Sequence, residues 1–259
     1  MVTKGLAFGG VEDARSVHVV RTPKCRGSLL STMIGLELID IARQGDFTMP
    51  QSLAVRSSVT SLKQVEELFN LVAEDGLFQE WFVGLPELSV HEGKEVEHLQ
   101  KRFLVHRDRG QLTEGSVDRL LVSPLLDLAG FYDPAFVLEA EKSVEVTAND
   151  GDTLYRGRID VLLVSRRMWL LVVEEKGTRI DMETALPQML AYMLACPSRD
   201  RPVFGMATNG NAFAFVKMGA TSQGSLQYAI SDTFVTRSRT NQLTTVLQIL
   251  KQIKQLIEP

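Results

Sequence analysis

The chain has 259 residues and a mass of 28.8 kDa, with 44% hydrophobic and 23% charged residues, which excludes a disordered tail, a fibre and a disulfide miniprotein. Two cysteines, Cys25 and Cys196, and four unclustered histidines make neither a disulfide framework nor a four-ligand zinc site, and they fit a reduced, cytoplasmic compartment. No apolar run approaches the roughly 18 to 20 residues of a membrane span, and a formal charge of −4 argues at first against nucleic acid.

That average conceals an asymmetry: residues 1–59 have a net charge of +2, residues 60–153 of −11 and residues 154–259 of +5. An acidic middle segment therefore masks a mildly basic C-terminal part. Ordinary variation between surface helices produces such contrasts too.

Residues 1–58 show no sustained helical or strand period apart from a short apolar stretch, Leu29 to Ile41, and are expected to be a poorly anchored extension. Glu12 and Asp13 sit where a signal peptide would be apolar. Met49, just before the patterned part of the chain, is a candidate translation start. Ser61 can cap a helix with Gln64 three residues on, followed by Leu62, Val65, Leu68, Phe69 and Val72 at helical spacing. Phe78, Trp81 and Phe82 read as core, and His91 to Arg109 as a solvated helix, so residues 59–110 form a helical segment.

A further helix runs from Thr113 towards Leu128, with Glu114, Val117, Leu121, Leu125 and Leu128 on one stripe. Pro124 must kink or restart it, because proline lacks the amide donor. Glu114 is a carboxylate on an apolar stripe. It is either a first-turn glutamate favoured by the helix dipole or a functional group.

After Gly130 the period changes from 3.6 to 2. Strands are predicted over residues 136–146, 155–164 and 168–175, with a turn at Asn149-Asp150-Gly151-Asp152 and a tight one near Arg166-Arg167. A helix follows over Met182 to Ala195. The segments 203–207 and 212–216 flank Thr208-Asn209-Gly210-Asn211, a strong hairpin signal, and a last helix spans Asn241 to Ile257.

The residues that carry chemistry lie on the second and third of these strands. Side chains alternate along a strand, so Glu174 and Lys176 share a face, and the turn near Arg166-Arg167 is expected to bring Asp160 roughly opposite Glu174. Burying two carboxylates and a lysine at the end of an apolar sheet is costly unless they neutralise one another or bind a cation. The set suits Mg²⁺, with Mn²⁺ as a substitute: Asp160 and Glu174 would hold the ion and the main-chain carbonyl of Glu175 would add a third oxygen. Lys176 would orient or deprotonate a water that attacks a phosphodiester. The plainer alternative is a strand that ends in solvent with a salt-bridged Glu-Glu-Lys.

The order α-β-β-β-α-β, with Asp160 followed by Glu174-x-Lys176, resembles the PD-(D/E)XK nuclease superfamily. More narrowly, residues 60–257 resemble the N-terminal nuclease domain of type I restriction enzyme R subunits, in the short stand-alone form found in cyanobacteria. The likeness is carried by SPLLDLAGFY at 123–132, RGRIDVLLV at 156–164, MWLLVVEEK at 168–176, PQMLAYMLA at 187–195 and PVFGMATNG at 202–210. The resemblance implies metal-binding roles for Asp160 and Glu174, a catalytic role for Lys176, and an additional acidic ligand at Glu114. Gln188 and Tyr192 match its Gln-x-x-x-Tyr pair, which would contact a phosphate or position Lys176; otherwise they are the polar edge of a helix facing water. The chain lacks the G-x-x-x-x-G-K-[ST] loop of the family's ATP-driven motor, so no ATP site is expected.

The expected fold is an α/β PD-(D/E)XK core over residues 111–259, a small mixed sheet flanked by helices, preceded by the helical segment. The expected function is Mg²⁺-dependent DNA cleavage of restriction or repair type, with a homodimer or restriction-system subunits as partners and no membrane. The rival is a non-catalytic module of the same fold that binds DNA or a protein partner; the −11 segment suits a protein better than DNA.

Overall fold

The computed structural model describes residues 51–257 except 78, 149, 166–167, 175–181 and 198–199; for 51, 77, 140–141, 160–165, 168–174 and 182–184 it describes the backbone path. In chain order the elements are β1 (Gln51–Ala54), α1 (Val55–Ser58), α2 (Leu62–Phe69), β2 (Leu71–Ala73), α3 (Val90–Arg109), α4 (Glu114–Val117) and α5 (Ser123–Leu128). They continue as β3 (Val137–Thr147), β4 (Thr153–Ser165), β5 (Met168–Glu174), α6 (Met182–Met193), β6 (Val203–Thr208), β7 (Ala212–Ala220), β8 (Leu226–Ile230), β9 (Phe234–Val235) and α7 (Gln242–Ile257).

The strands form one mixed sheet in the order β1-β4-β5-β6-β7-β8-β2, with β3 added to β4 and β9 to β7. β1 runs parallel to β4, β2 to β8 and β5 to β6; the other pairs are antiparallel. Alternation along β6 and β7 divides the apolar residues between two cores. Phe204, Met206, Phe213 and Phe215 join the core under α3, α5 and α7, whereas Val203, Ala207, Val216 and Met218 join the one under α2 and α6. Helices thus cover both faces, and both faces are apolar for that reason.

Two expectations about organisation need correction. Gln51–Ala54, assigned to a poorly anchored extension, pair with β4, and Val55 just after them is fully buried, so the sheet takes in residues well before Ser61. Nor is 59–110 a separate helical segment. β2 lies within it and forms a sheet edge, Trp81 packs between Phe204 and Phe215 at centroid distances of 5.9 and 5.2 Å, and residues 49–259 make one compact unit. Of the aromatic group, Trp81 is core, Phe82 is 60% exposed, and Phe78 lies outside the described residues.

Local chemistry explains several boundaries. Ser61 accepts the Gln64 amide and Gln64 Oε1 accepts the Thr60 amide, a reciprocal cap. α3 opens on a capping box between Ser89 and Glu92 and buries Val96, Leu99 and Phe103 beneath its charged face. Pro124 neither stops nor sharply breaks its helix, because a π-helical turn over Asp118–Val122 precedes it, with the Ser123 amide reaching back to the Asp118 carbonyl. Proline cannot donate to Leu120, four residues back; that carbonyl is instead approached by Arg102 Nη2 at 3.5 Å.

Glu92 also takes a hydrogen bond from Lys251 of α7, and this, ahead of its bonds to Ser89, lowers its pKa to about 2 against the opposing effect of burial. A depressed carboxylate contributes stability above its unfolded pKa and loses it as pH falls towards the folded one. Glu92→Gln should therefore cost about 1–2 kcal/mol at pH 7, and chemical denaturation should show the difference from wild type shrinking between about pH 4.5 and pH 2. A pH-independent difference would refute this assignment. Among the described residues no helix is long and apolar enough to cross a membrane.

Candidate functional site at the ends of β4, β5 and β6

The β4–β5 hairpin pairs Ser165 with Met168 and continues to Val161 with Val172. The pairing ends there: Asp160 is the next residue of β4 and Glu174, the last residue of β5, lies two past Val172. The expected opposition of Asp160 and Glu174 falls beyond the paired stretch of β4 and β5, whereas β5 stays paired with β6 as far as Glu174 opposite Thr208. Asp160 and Glu174 lie on neighbouring strands. Glu175 and Lys176 fall outside the described residues.

Gln188 and Tyr192 sit one turn apart on α6 and are 2% and 0% exposed, which corrects the alternative of a polar helix edge facing water. The reason is local to β4. A Cβ on Gly157 would lie 2.3 Å from Tyr192 Cε1 and 2.9 Å from its hydroxyl, so only glycine leaves space for the ring against this strand. Tyr192 thereby rests on β4 three residues before Asp160. Spacing alone does not single out Gly157, although a glycine inside a predicted strand is itself a signal of close approach.

Glu114 is the first residue of α4 and half-buried, next to the Thr113 hydroxyl, which lies 2.9 Å from that of Ser116. Val117 of the same short helix and Phe103 of α3 close over Gly210, where a Cβ would meet Phe103 Cζ at 2.6 Å and Val117 Cγ1 at 2.9 Å. Gly210 has φ +77°, a left-handed conformation that favours glycine. The Asn-Gly signal thus marked both the β6–β7 hairpin and the point where Glu114's helix docks.

That turn is tightly bonded. Thr208 Oγ1 donates to the Ala212 carbonyl at 2.8 Å, and Asn209 Oδ1 accepts the amides of Asn211 and Ala212 at 3.0 Å each. Thr208 is also the parallel register partner of Glu174, so the turn begins one strand spacing, roughly 5 Å, from the end of β5. Thr236 holds the turn from the other side through the carbonyls of Gly210 and Asn211. Arg107 Nη1 donates to Asn211 Oδ1 at 2.7 Å, while Asp108 accepts Arg237 Nη2 at 2.5 Å from both carboxylate oxygens. The Arg237 guanidinium, with help from Arg107, holds the Asp108 carboxyl below the usual carboxylate range. Sequence reading missed these arginines because their partners are about 100 or more residues away.

Among the described residues no three His, Cys, Asp or Glu side chains gather into a metal-ligand set; the side chains of Asp160, Glu174 and Glu175 are not among those described. No protein-family model and no curated protein sequence matches the chain.

Proposed function

We propose that the chain is a Mg²⁺-dependent, endonuclease-like protein that hydrolyses DNA phosphodiester bonds on a PD-(D/E)XK core. The observation that carries this reading is the succession of Glu114's helix, β3, β4, β5, α6 and β6, with β3-β4-β5 antiparallel and β6 parallel to β5, and with Asp160 and Glu174 on adjacent strands. Their hard carboxylate oxygens suit Mg²⁺ or Mn²⁺, with the Glu175 carbonyl and Glu114 as further oxygen donors. When bound, the ion supplies Lewis-acid stabilisation of charge on the phosphoryl oxygens. Lys176 would hold the attacking water and take up its proton. Tyr192, fixed by Gly157, and Gln188 one turn before it would keep the Lys176 segment in place from the α6 side.

Metal removal is the first test. The full chain should convert supercoiled plasmid to nicked or linear forms with Mg²⁺ or Mn²⁺, and EDTA should stop conversion completely. Conversion in EDTA would refute a metal-dependent reaction.

The net charge of −11 over residues 60–153 favours a second reading, a non-catalytic module of the same fold that binds DNA or a protein partner. It predicts an intact plasmid with either metal, at protein concentrations that saturate binding.

A further inference from the structure

We propose that the C-terminal turn of α3 and the Arg237–Arg239 loop form a rim that grips the phosphate backbone of duplex DNA beside the candidate site. The choice of DNA rests on the nuclease reading; the rim itself stands on charge and geometry. Residues 101–109 hold Lys101, Arg102, Arg107 and Arg109 against a single acid, Asp108, inside a segment whose overall net is −11.

A helix C-terminus attracts cations through its dipole, which accounts for Arg107 and Arg109. It does not account for Arg237 and Arg239, which come from a separate loop. That loop is drawn onto α3 by Gln100 Nε2 donating to the Thr236 carbonyl at 2.7 Å and by the Asp108–Arg237 pair. Arg107 and Arg237 thus bond one carboxylate, and Arg109 and Arg239 each lie two positions further along the chain, four guanidiniums to one acid and a net of +3. Arg109, Arg237 and Arg239 are all exposed. Keeping like charges together costs free energy, and a polyanion offsets that cost.

Guanidinium forks match phosphate oxygens in two-bond geometry, and the hydroxyls of Ser238 and Thr240, 3.3 Å apart in the same loop, add further donors. Position matters as much as charge. Arg107 is bonded to Asn211 of the turn that starts at Thr208, the neighbour of Glu174, so the rim adjoins the end of the sheet where cleavage would occur.

The test separates binding from chemistry by using EDTA throughout. Full-length protein is titrated into a fluorescent 30-base-pair duplex across a salt series. Each phosphate contact contributes about 0.9 to the slope of log K against log salt, so Arg109→Ala/Arg239→Ala should lower affinity at least about tenfold at low salt and reduce the slope by about 2. Arg109→Lys/Arg239→Lys should keep most of the slope, and Lys63→Ala, an exposed residue of α2, should change nothing. An unchanged slope in the alanine pair, an equal loss in Lys63→Ala, or no binding by wild type would overturn the rim, as would a poly-glutamate chain that binds as tightly as the duplex. Binding through these arginines with no cleavage in Mg²⁺ would leave the rim standing and remove the nuclease reading; cleavage and binding unaffected by their loss would do the reverse.

Discussion

Alanine at Lys176 should leave supercoiled plasmid uncut in Mg²⁺, with the rate of conversion lower by at least about 100-fold and the thermal unfolding midpoint close to that of wild type. The argument is about a proton and a charge. Hydrolysis of a phosphodiester places negative charge on phosphoryl oxygens while an attacking water must lose a proton. A lysine beside two carboxylates is the one group in Glu174-Glu175-Lys176 able to serve both needs. Arginine would keep the charge but stay protonated, so Lys176→Arg should recover little activity. Full activity in Lys176→Ala would assign the cutting to a contaminating nuclease and end the catalytic proposal for this chain.

Gly157→Ala should destabilise the fold by about 1–3 kcal/mol, even though alanine ordinarily suits a strand better than glycine. The added methyl would stand 2.3 Å from Tyr192 Cε1, and Tyr192 is completely buried, so the ring has no free space to swing into. Either the helix or the strand must shift. Tyr192→Leu removes the ring that collides, and the double variant should be less destabilised than the sum of the two single changes, a coupling that urea denaturation can measure. Strict additivity would show that the two residues do not press on each other. Because Tyr192 belongs to the proposed site, Gly157→Ala should also slow any cleavage at temperatures where the protein remains folded.

Local signals read from the sequence correspond closely to what forms locally. Ser61 with Gln64, the Asn209-Gly210 turn, the strand hairpin around residues 166–167 and the inward stripe of α7 all depend on residues within a few positions of one another. What escaped was nonlocal. β2 is three residues long and owes its strand geometry to a parallel partner at Leu226–Tyr228, and β1 depends in the same way on Thr153–Arg156. α3 looked solvated because its charges outnumber its three buried apolar residues, and those are buried by α7 and α5 rather than by anything nearby in the chain.

At the candidate site, residue types could be chosen by spacing, but not the register. The hairpin closes at Ser165 and Met168 as its sequence suggests, but its pairing runs only to Val161 and Val172, so the relation between Asp160 and Glu174 lies past the part that local spacing governs. The arginines around Asp108 were invisible for a related reason: each is ordinary in its own segment, and they become a cluster only when the 231–241 loop folds against α3.

The parallel pairing of β2 with β8 also dictates an order of events during synthesis. Ala73 leaves the ribosome long before Tyr228 exists to receive it, an interval of roughly 10–30 s at about 5–20 residues per second. Throughout that interval Leu71 lacks the strand residue it pairs with, Leu226, although it is buried in the finished protein. The far edge of the sheet therefore closes late, and the nascent chain carries an apolar segment near its start that chaperones have time to bind.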